Sequence, residues 1–81
     1  MNATGETKDA TPLRINFEVF DVECARRGAT DETSRGRLVD IDRTTLWRWR
    51  TGRQDPSLDA VIRIATTLGV AVEKLLGREA A

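Results

Sequence analysis

The residues from Asp42 to Arg53, Asp-Arg-Thr-Thr-Leu-Trp-Arg-Trp-Arg-Thr-Gly-Arg, carry the side chains best suited to recognising another molecule. Arginine offers a planar fork of N–H donors that matches the paired acceptors of a phosphate or a guanine edge. Threonine adds a hydroxyl, and tryptophan adds a large apolar plate with a single donor. Their spacing is helical. Asp42 is an N-cap, since its carboxylate can accept from the free amides of a first turn, and Gly52 suits the left-handed residue after a helix end. At about 100° per residue, Leu46 and Trp49 fall on one side, while Thr44, Trp47, Arg48 and Thr51 fall on the other. An outer face of arginine, threonine and an unburied tryptophan is built to touch something polar and anionic. The major groove of DNA meets that description.

Catalysis finds no comparable footing. The carboxylate pairs Asp21/Glu23 and Asp40/Asp42 stand two residues apart, which does not make a shared acid–base site on a helix or across a turn. The chain has no histidine, the commonest catalytic base and transition-metal ligand. A lone Cys24 excludes an internal disulfide framework and a cysteine zinc site, and its place in an apolar stripe reads as inert core. No glycine loop cradles phosphate. The expectation is a non-enzyme with no catalytic residue, no metal and no cofactor.

The 81 residues are 40% apolar and 32% charged, the composition of one small soluble globular domain. No run approaches the roughly 20 apolar residues of a membrane span. The N-terminus lacks the basic start and apolar core of a signal peptide, so a cytoplasmic protein is expected. The net charge is zero, but its distribution is uneven. Between Arg35 and Arg53 six arginines face only Asp40 and Asp42, a local +4 balanced by −4 elsewhere, much of it in Glu18, Asp21, Glu23, Asp31 and Glu32. Eleven arginines against two lysines suit bidentate contacts, although a GC-rich genome produces the same bias.

The elements that must hold the reading face follow from periodicity and caps. Residues 1–12 are small and polar and read as a disordered tail; residues 13–77 form the domain and 78–81 a short C-terminal tail. Leu13 to Val19 alternates as a strand would, but a helix from Phe17 fits better, with Asn16 as its cap and Ile15 stapled onto Phe20. Phe17, Phe20 and Cys24 make one stripe. Val19 and Val22 point the other way, to be wrapped by later helices or used for dimer contact. That helix stops at Arg26-Arg27-Gly28. A second helix opens in Thr30-Asp31-Glu32-Thr33 and runs to about Val39, carrying Gly36. Ser57 caps a fourth helix with a buried stripe of Leu58, Val61, Ile64, Ala65 and Leu68, ended by Gly69. Val70 to Leu76 reads as a fifth helix, closed by Gly77. The fold class expected is all-α.

From Ala29 to Leu76 the chain resembles the Cro/repressor-type (lambda-repressor-like) helix-turn-helix family of phages and bacteria. The resemblance rests on Gly36-Arg37-Leu38-Val39-Asp40-Ile41-Asp42, on Trp49-Arg50-Thr51-Gly52 followed by Pro56-Ser57, and on Leu68-Gly69-Val70. It implies a compact five-helix domain whose second and third helices form the helix-turn-helix, with Gly36 small to let them approach. The sequence departs from the family at three places. Asp40 replaces the turn glycine, although aspartate tolerates positive φ better than most residues. Arg50 replaces a common glutamate, so an ion pair made there must be inverted or absent. The loop before Gly36 is longer than the family's.

Function then reads as sequence-specific binding of double-stranded DNA by a transcriptional regulator, a phage Cro or immunity-type repressor in a bacterial or phage-infected cell. Arg43, Thr44, Trp47 and Arg48 would meet base edges, with Trp47 either in the groove or packed on the second helix or a partner subunit. Thr30, Arg50, Thr51, Arg53 and Gln54 would meet phosphates. One such unit reads few base pairs, so a homodimer on a palindromic operator is expected, weak in free solution. It would form through Val72, Leu75 and Leu76 or through the Val19/Val22 face. The rival class is a protein-interaction module, antitoxin-like or a phage factor engaging a host protein, that uses the same surface.

Overall fold

Stripes, caps and glycine stops divide the chain where the pattern places them. The computed structural model describes residues 13–77, and five helices follow one another through them. They are α1 (Phe17–Arg26), α2 (Glu32–Val39), α3 (Arg43–Arg50), α4 (Leu58–Leu68) and α5 (Val72–Leu75). No strand occurs among the described residues, and the protein is all-α. The tails expected over residues 1–12 and 78–81 lie outside the described residues. None of the described helices is long and apolar enough to cross a membrane.

The ambiguous stretch before α1 is decided by its cap. The Asn16 side chain accepts from the Val19 amide at 3.2 Å, and the Asn16 amide donates to the Leu75 carbonyl at 2.8 Å, which ties the entry of α1 to α5. Ile15 and Phe20 are both buried on either side of that cap, the arrangement of a hydrophobic staple. Phe17 sets its ring edge-on to Phe20, with centroids 5.4 Å apart. Phe20, Cys24, Leu46, Val61, Ile64, Leu68 and Leu75 are fully buried and draw on all helices but α2, which adds Val39. Each large apolar side chain among them stabilises the fold by about 1.5–3 kcal/mol relative to exposure.

Two expectations about this core change. Leu58 is 54% exposed rather than buried. It is the first residue of α4 and sits roughly 70° from the centre of the stripe made by Val61, Ile64, Ala65 and Leu68, so it lies past the edge of the packing. The last helix is shorter than Val70 to Leu76. Gly69 ends α4 in a left-handed conformation and the Val70 amide returns to the Ala65 carbonyl at 3.0 Å, so Val70 belongs to the α4 cap.

One acid is central to the closure of the helices. Glu23 is 4% exposed and accepts from Arg27 at 3.1 Å, from Arg26 at 3.3 Å and pairs with Lys74 of α5 at 3.3 Å. Arg27 also donates to the Leu68 carbonyl at the end of α4. The Arg27 hydrogen bond, with Lys74 beside it, holds the Glu23 carboxyl below its ordinary range despite burial.

Candidate nucleic-acid interface

The outer side of α3 is presented by a turn in which two residues have narrowly defined roles. Asp40 ends α2 at φ 59°, ψ 45°, and is the one non-glycine residue with positive φ among those described. Its amide and that of Ile41 both return to the Gly36 carbonyl, the latter at 2.9 Å. A Cβ on Gly36 would lie 2.5 Å from the Ile41 carbonyl oxygen. Only glycine lets the chain pass from α2 to α3 at this distance. Asp42 then caps α3, accepting from the Thr45 hydroxyl at 2.5 Å and its amide at 3.1 Å, and these bonds keep the Asp42 carboxyl below the ordinary aspartate range.

Within α3 the two faces separate cleanly. Leu46 and Trp49 are buried, whereas Arg43, Thr44, Trp47 and Arg48 are exposed, Trp47 to 46%. Trp47, Thr44 and Arg43 line a recess of about 390 Å³ together with Glu32 from α2. The Arg53 guanidinium lies over the Trp47 ring, 4.9 Å from its centroid, because the Arg53 amide folds back to the Arg48 carbonyl at 2.8 Å. Gln54 donates its amide to the same carbonyl at 3.2 Å and keeps an exposed side chain.

Arg50 takes a different role from the phosphate contact expected of it. It donates to Asp21 of α1 at 2.9 and 3.1 Å and to Glu32 of α2 through two bonds of 2.9 Å. Arg35 closes the cluster at 3.4 Å from each acid, and Phe17 lies under the Arg50 guanidinium at 4.4 Å. Where a glutamate is common in the resembled family, this chain reverses the sign and supplies the acids from α1 and α2. The Asp21 and Glu32 hydrogen bonds raise the Arg50 pKa further above its usual value. The group positions α3 and has no fork left for an outside anion.

Two more of the expected phosphate contacts are altered. Both the amide and the hydroxyl of Thr51 donate to the Trp47 carbonyl, at 2.9 and 2.8 Å, so neither donor is directed outward. Thr30 precedes α2 without capping it. The cap is Asp31, which accepts from the Ser34 amide at 2.8 Å and is held below its ordinary pKa by that bond. An ionised Asp31 beside Thr30 repels a phosphate at this helix start.

Two cationic residues absent from the expected set lie beside these groups. Arg14, before α1, brings its Nη1 to 3.2 Å from the position a Cβ on Gly52 would take, just past the end of α3. Arg37 of α2 shares a shallow recess with Asp42 and Arg43. Arg14 gave no sequence signal, since nothing in its spacing relates it to Gly52, 38 positions on. Arg37 could have been found as an outward residue of a helix whose buried side is marked by Gly36 and Val39.

The dimer residues also sort differently. Leu75 is fully buried in the core, whereas Val72 and Leu76 are half-buried against it. Leu75 has nothing left to offer a second chain. Val22 is 51% exposed with Val19 half-buried beside it, and Leu58 and Ile62 of α4 are exposed one turn apart. Cys24 is fully buried and burial raises its thiol to about 11, so it is not a nucleophile at neutral pH. No group of three or more potential metal ligands occurs among the described residues.

No protein-family model, curated protein or solved structure matches this chain.

Proposed function

We propose that the protein is a sequence-specific DNA-binding transcriptional regulator, a repressor of the Cro or immunity class, acting in the cytoplasm of a bacterium or phage-infected cell. In this reading α2, the Asp40 turn and α3 form the helix-turn-helix of the family the sequence resembles, and α3 enters the major groove.

The observation that carries the reading is the division of the arginines. Among the described residues Arg26, Arg27, Arg35 and Arg50 are ion-paired, each with Glu23, Asp21 or Glu32. Arg14, Arg37, Arg43, Arg48, Arg53 and Arg63 have no ion-pair partner there, and all but Arg63 lie on α3 or beside it. A solvated surface arginine needs no partner, as Arg63 shows, but five open arginines gathered on and beside one helix are more than scattered surface charge. An anionic partner along α3 accounts for their being left open. Arg43, Thr44, Trp47 and Arg48 would face base edges, and Arg14, Arg37, Arg53 and Gln54 the phosphates on either side.

Duplex recognition would use two copies, because one such helix reads too few base pairs for specificity. The pair would be a weak homodimer on a palindromic site, using exposed side chains such as Val22 rather than Leu75. Light scattering at micromolar concentration should give a mass that rises on addition of the preferred duplex. A fixed monomer binding one half-site would remove the dimer and leave DNA binding intact.

Electrophoretic mobility shift against a random duplex pool at near-physiological salt tests the main reading. Selective enrichment of a sequence is expected, and Arg48→Ala should weaken it by about 1–3 kcal/mol and relax one position. The exposed Trp47 also favours a second reading, a protein-interaction module. Loss of all duplex binding at that salt, with a stoichiometric protein partner recovered, would select it.

A further inference from the structure

We infer that Trp47 is the wall of a thymine-reading recess, taking the 5-methyl group of a thymine in the major groove. The inference rests on the DNA-binding reading and specifies what α3 recognises. Three features converge on it. First, Trp47 is 46% exposed in the middle of the outer face of α3, although a ring of this size gains from leaving water. Its only polar atom is one N–H donor, so it cannot make the bidentate pairing by which arginine reads guanine or glutamine reads adenine. Second, the apolar surface of a base-pair edge in the major groove is confined to the thymine methyl. An exposed indole there has one chemical complement.

Third, the surroundings of the ring hold it in place. The recess that Trp47 shares with Thr44 and Arg43 is bounded on the α2 side by Glu32. Both Glu32 oxygens already accept from Arg50, and Arg35 pairs with one of them, so the acid is held in place rather than free to follow a ligand. The Thr44 side chain contributes a methyl of its own. On the other flank the Arg53 guanidinium, 4.9 Å from the ring centroid, fixes the indole by a cation–π contact. The recess thus offers an aromatic wall held on one flank, against which a methyl group can pack.

The test uses the full-length protein and a duplex selected by it from a random pool. That duplex is resynthesised with uracil replacing each thymine in turn, which deletes one methyl group and leaves base pairing unchanged. At one thymine per half-site, uracil should weaken binding about fourfold, the value of burying one methyl-sized group. Trp47→Ala should bind the thymine and uracil duplexes equally, and its helical circular dichroism should match the parent because the ring is not core. Arg53→Ala, which removes a cation and the support of the ring, should weaken both duplexes and reduce the fourfold ratio. Equal binding of all uracil duplexes by the parent, a selected site without thymine, or a ratio that survives in Trp47→Ala would each overturn the inference while the DNA-binding reading stands. Failure to select any sequence would overturn both.

Discussion

Replacing Arg50 with alanine removes four hydrogen bonds to two carboxylates and leaves Asp21 and Glu32 with only Arg35 between them. The side chains are 29%, 33% and 21% exposed for Arg50, Asp21 and Glu32, an environment between surface and core. At an effective dielectric of about 20, unit charges roughly 4 Å apart attract by about 4 kcal/mol. Solvent screening and the entropy of fixing long side chains reduce each pair to about 1 kcal/mol. Two pairs give a loss of about 2 kcal/mol, which for a domain of this size lowers Tm by roughly 10 °C. Thermal unfolding followed by circular dichroism measures it. Asp21→Asn should cost stability in the parent and little or nothing in the Arg50→Ala background, a coupling of about 1 kcal/mol. The salt dependence of duplex binding should not change in Arg50→Ala, since that guanidinium is already neutralised. A Tm loss below about 3 °C, or additive effects of the two substitutions, would refute the view that this cluster anchors α3.

Gly36→Ala should destabilise by about 1–2 kcal/mol in urea unfolding, because the added Cβ meets the Ile41 carbonyl at 2.5 Å and the overpacking outweighs the roughly 1 kcal/mol gain in helix propensity. Acid should destabilise the protein. Glu23, Asp31 and Asp42 have carboxyl pKa values lowered from 4.5, 3.8 and 3.8, so their contribution is full above those values and is lost as pH falls through the lower folded ones. A Tm that is flat from pH 7 to 5 and falls below pH 4.5 is expected, and Tm rising on acidification would contradict it. Arg14→Ala should weaken specific and random duplexes alike and reduce the slope of log K against log salt by about 1, as loss of one phosphate contact does. An unchanged slope would return Arg14 to a bystander.

The parts of the molecule legible in the sequence are those fixed by neighbours along the chain. Asn16, Asp42 and Ser57 are short polar residues ahead of apolar periodicity, and each caps the helix that follows. The spacing of Leu46, Trp47 and Trp49 alone separates the buried side of α3 from its outer side. What was not legible depends on distant partners. Arg48 and Arg50 have the same type and similar spacing, and only the arrival of Asp21 and Glu32, 29 and 18 positions away, makes one internal and leaves the other outward. Thr51 looks like a donor until its hydroxyl turns back on its own helix. Leu58 matches the periodicity of α4 but not the reach of the helices that would cover it. Leu75 shows the reverse, since an apolar residue in a four-residue helix is as consistent with an interface as with a core.

The same division explains how a chain of zero net charge can present a cationic surface. Glu23, Asp21 and Glu32 are drawn to arginines and to Lys74 that join helices to one another, so three acids are consumed in holding the fold. The positive charge left on and around α3 is then uncompensated locally, which is the level at which a nearby polyanion responds, since salt screens charges beyond about 10 Å. Besides Asp40 in the turn, the acids that remain near α3 are Asp31 and Asp42, engaged as caps at the starts of α2 and α3. Their ionised side chains oppose a phosphate at either helix start, while Arg14 and Arg53 gather beyond the end of α3 and Arg37 stands beside Arg43. A duplex drawn to this surface would be guided by where the acids lie as much as by where the arginines do. Neutralising one of them tests that view. Asp31→Asn keeps a side-chain oxygen for the Ser34 amide and removes the charge, so it should tighten binding to all duplexes, most at low salt, with Tm lowered slightly by loss of the charge at the start of α2. Weaker binding would mean that Asp31 takes part in recognition instead of limiting it.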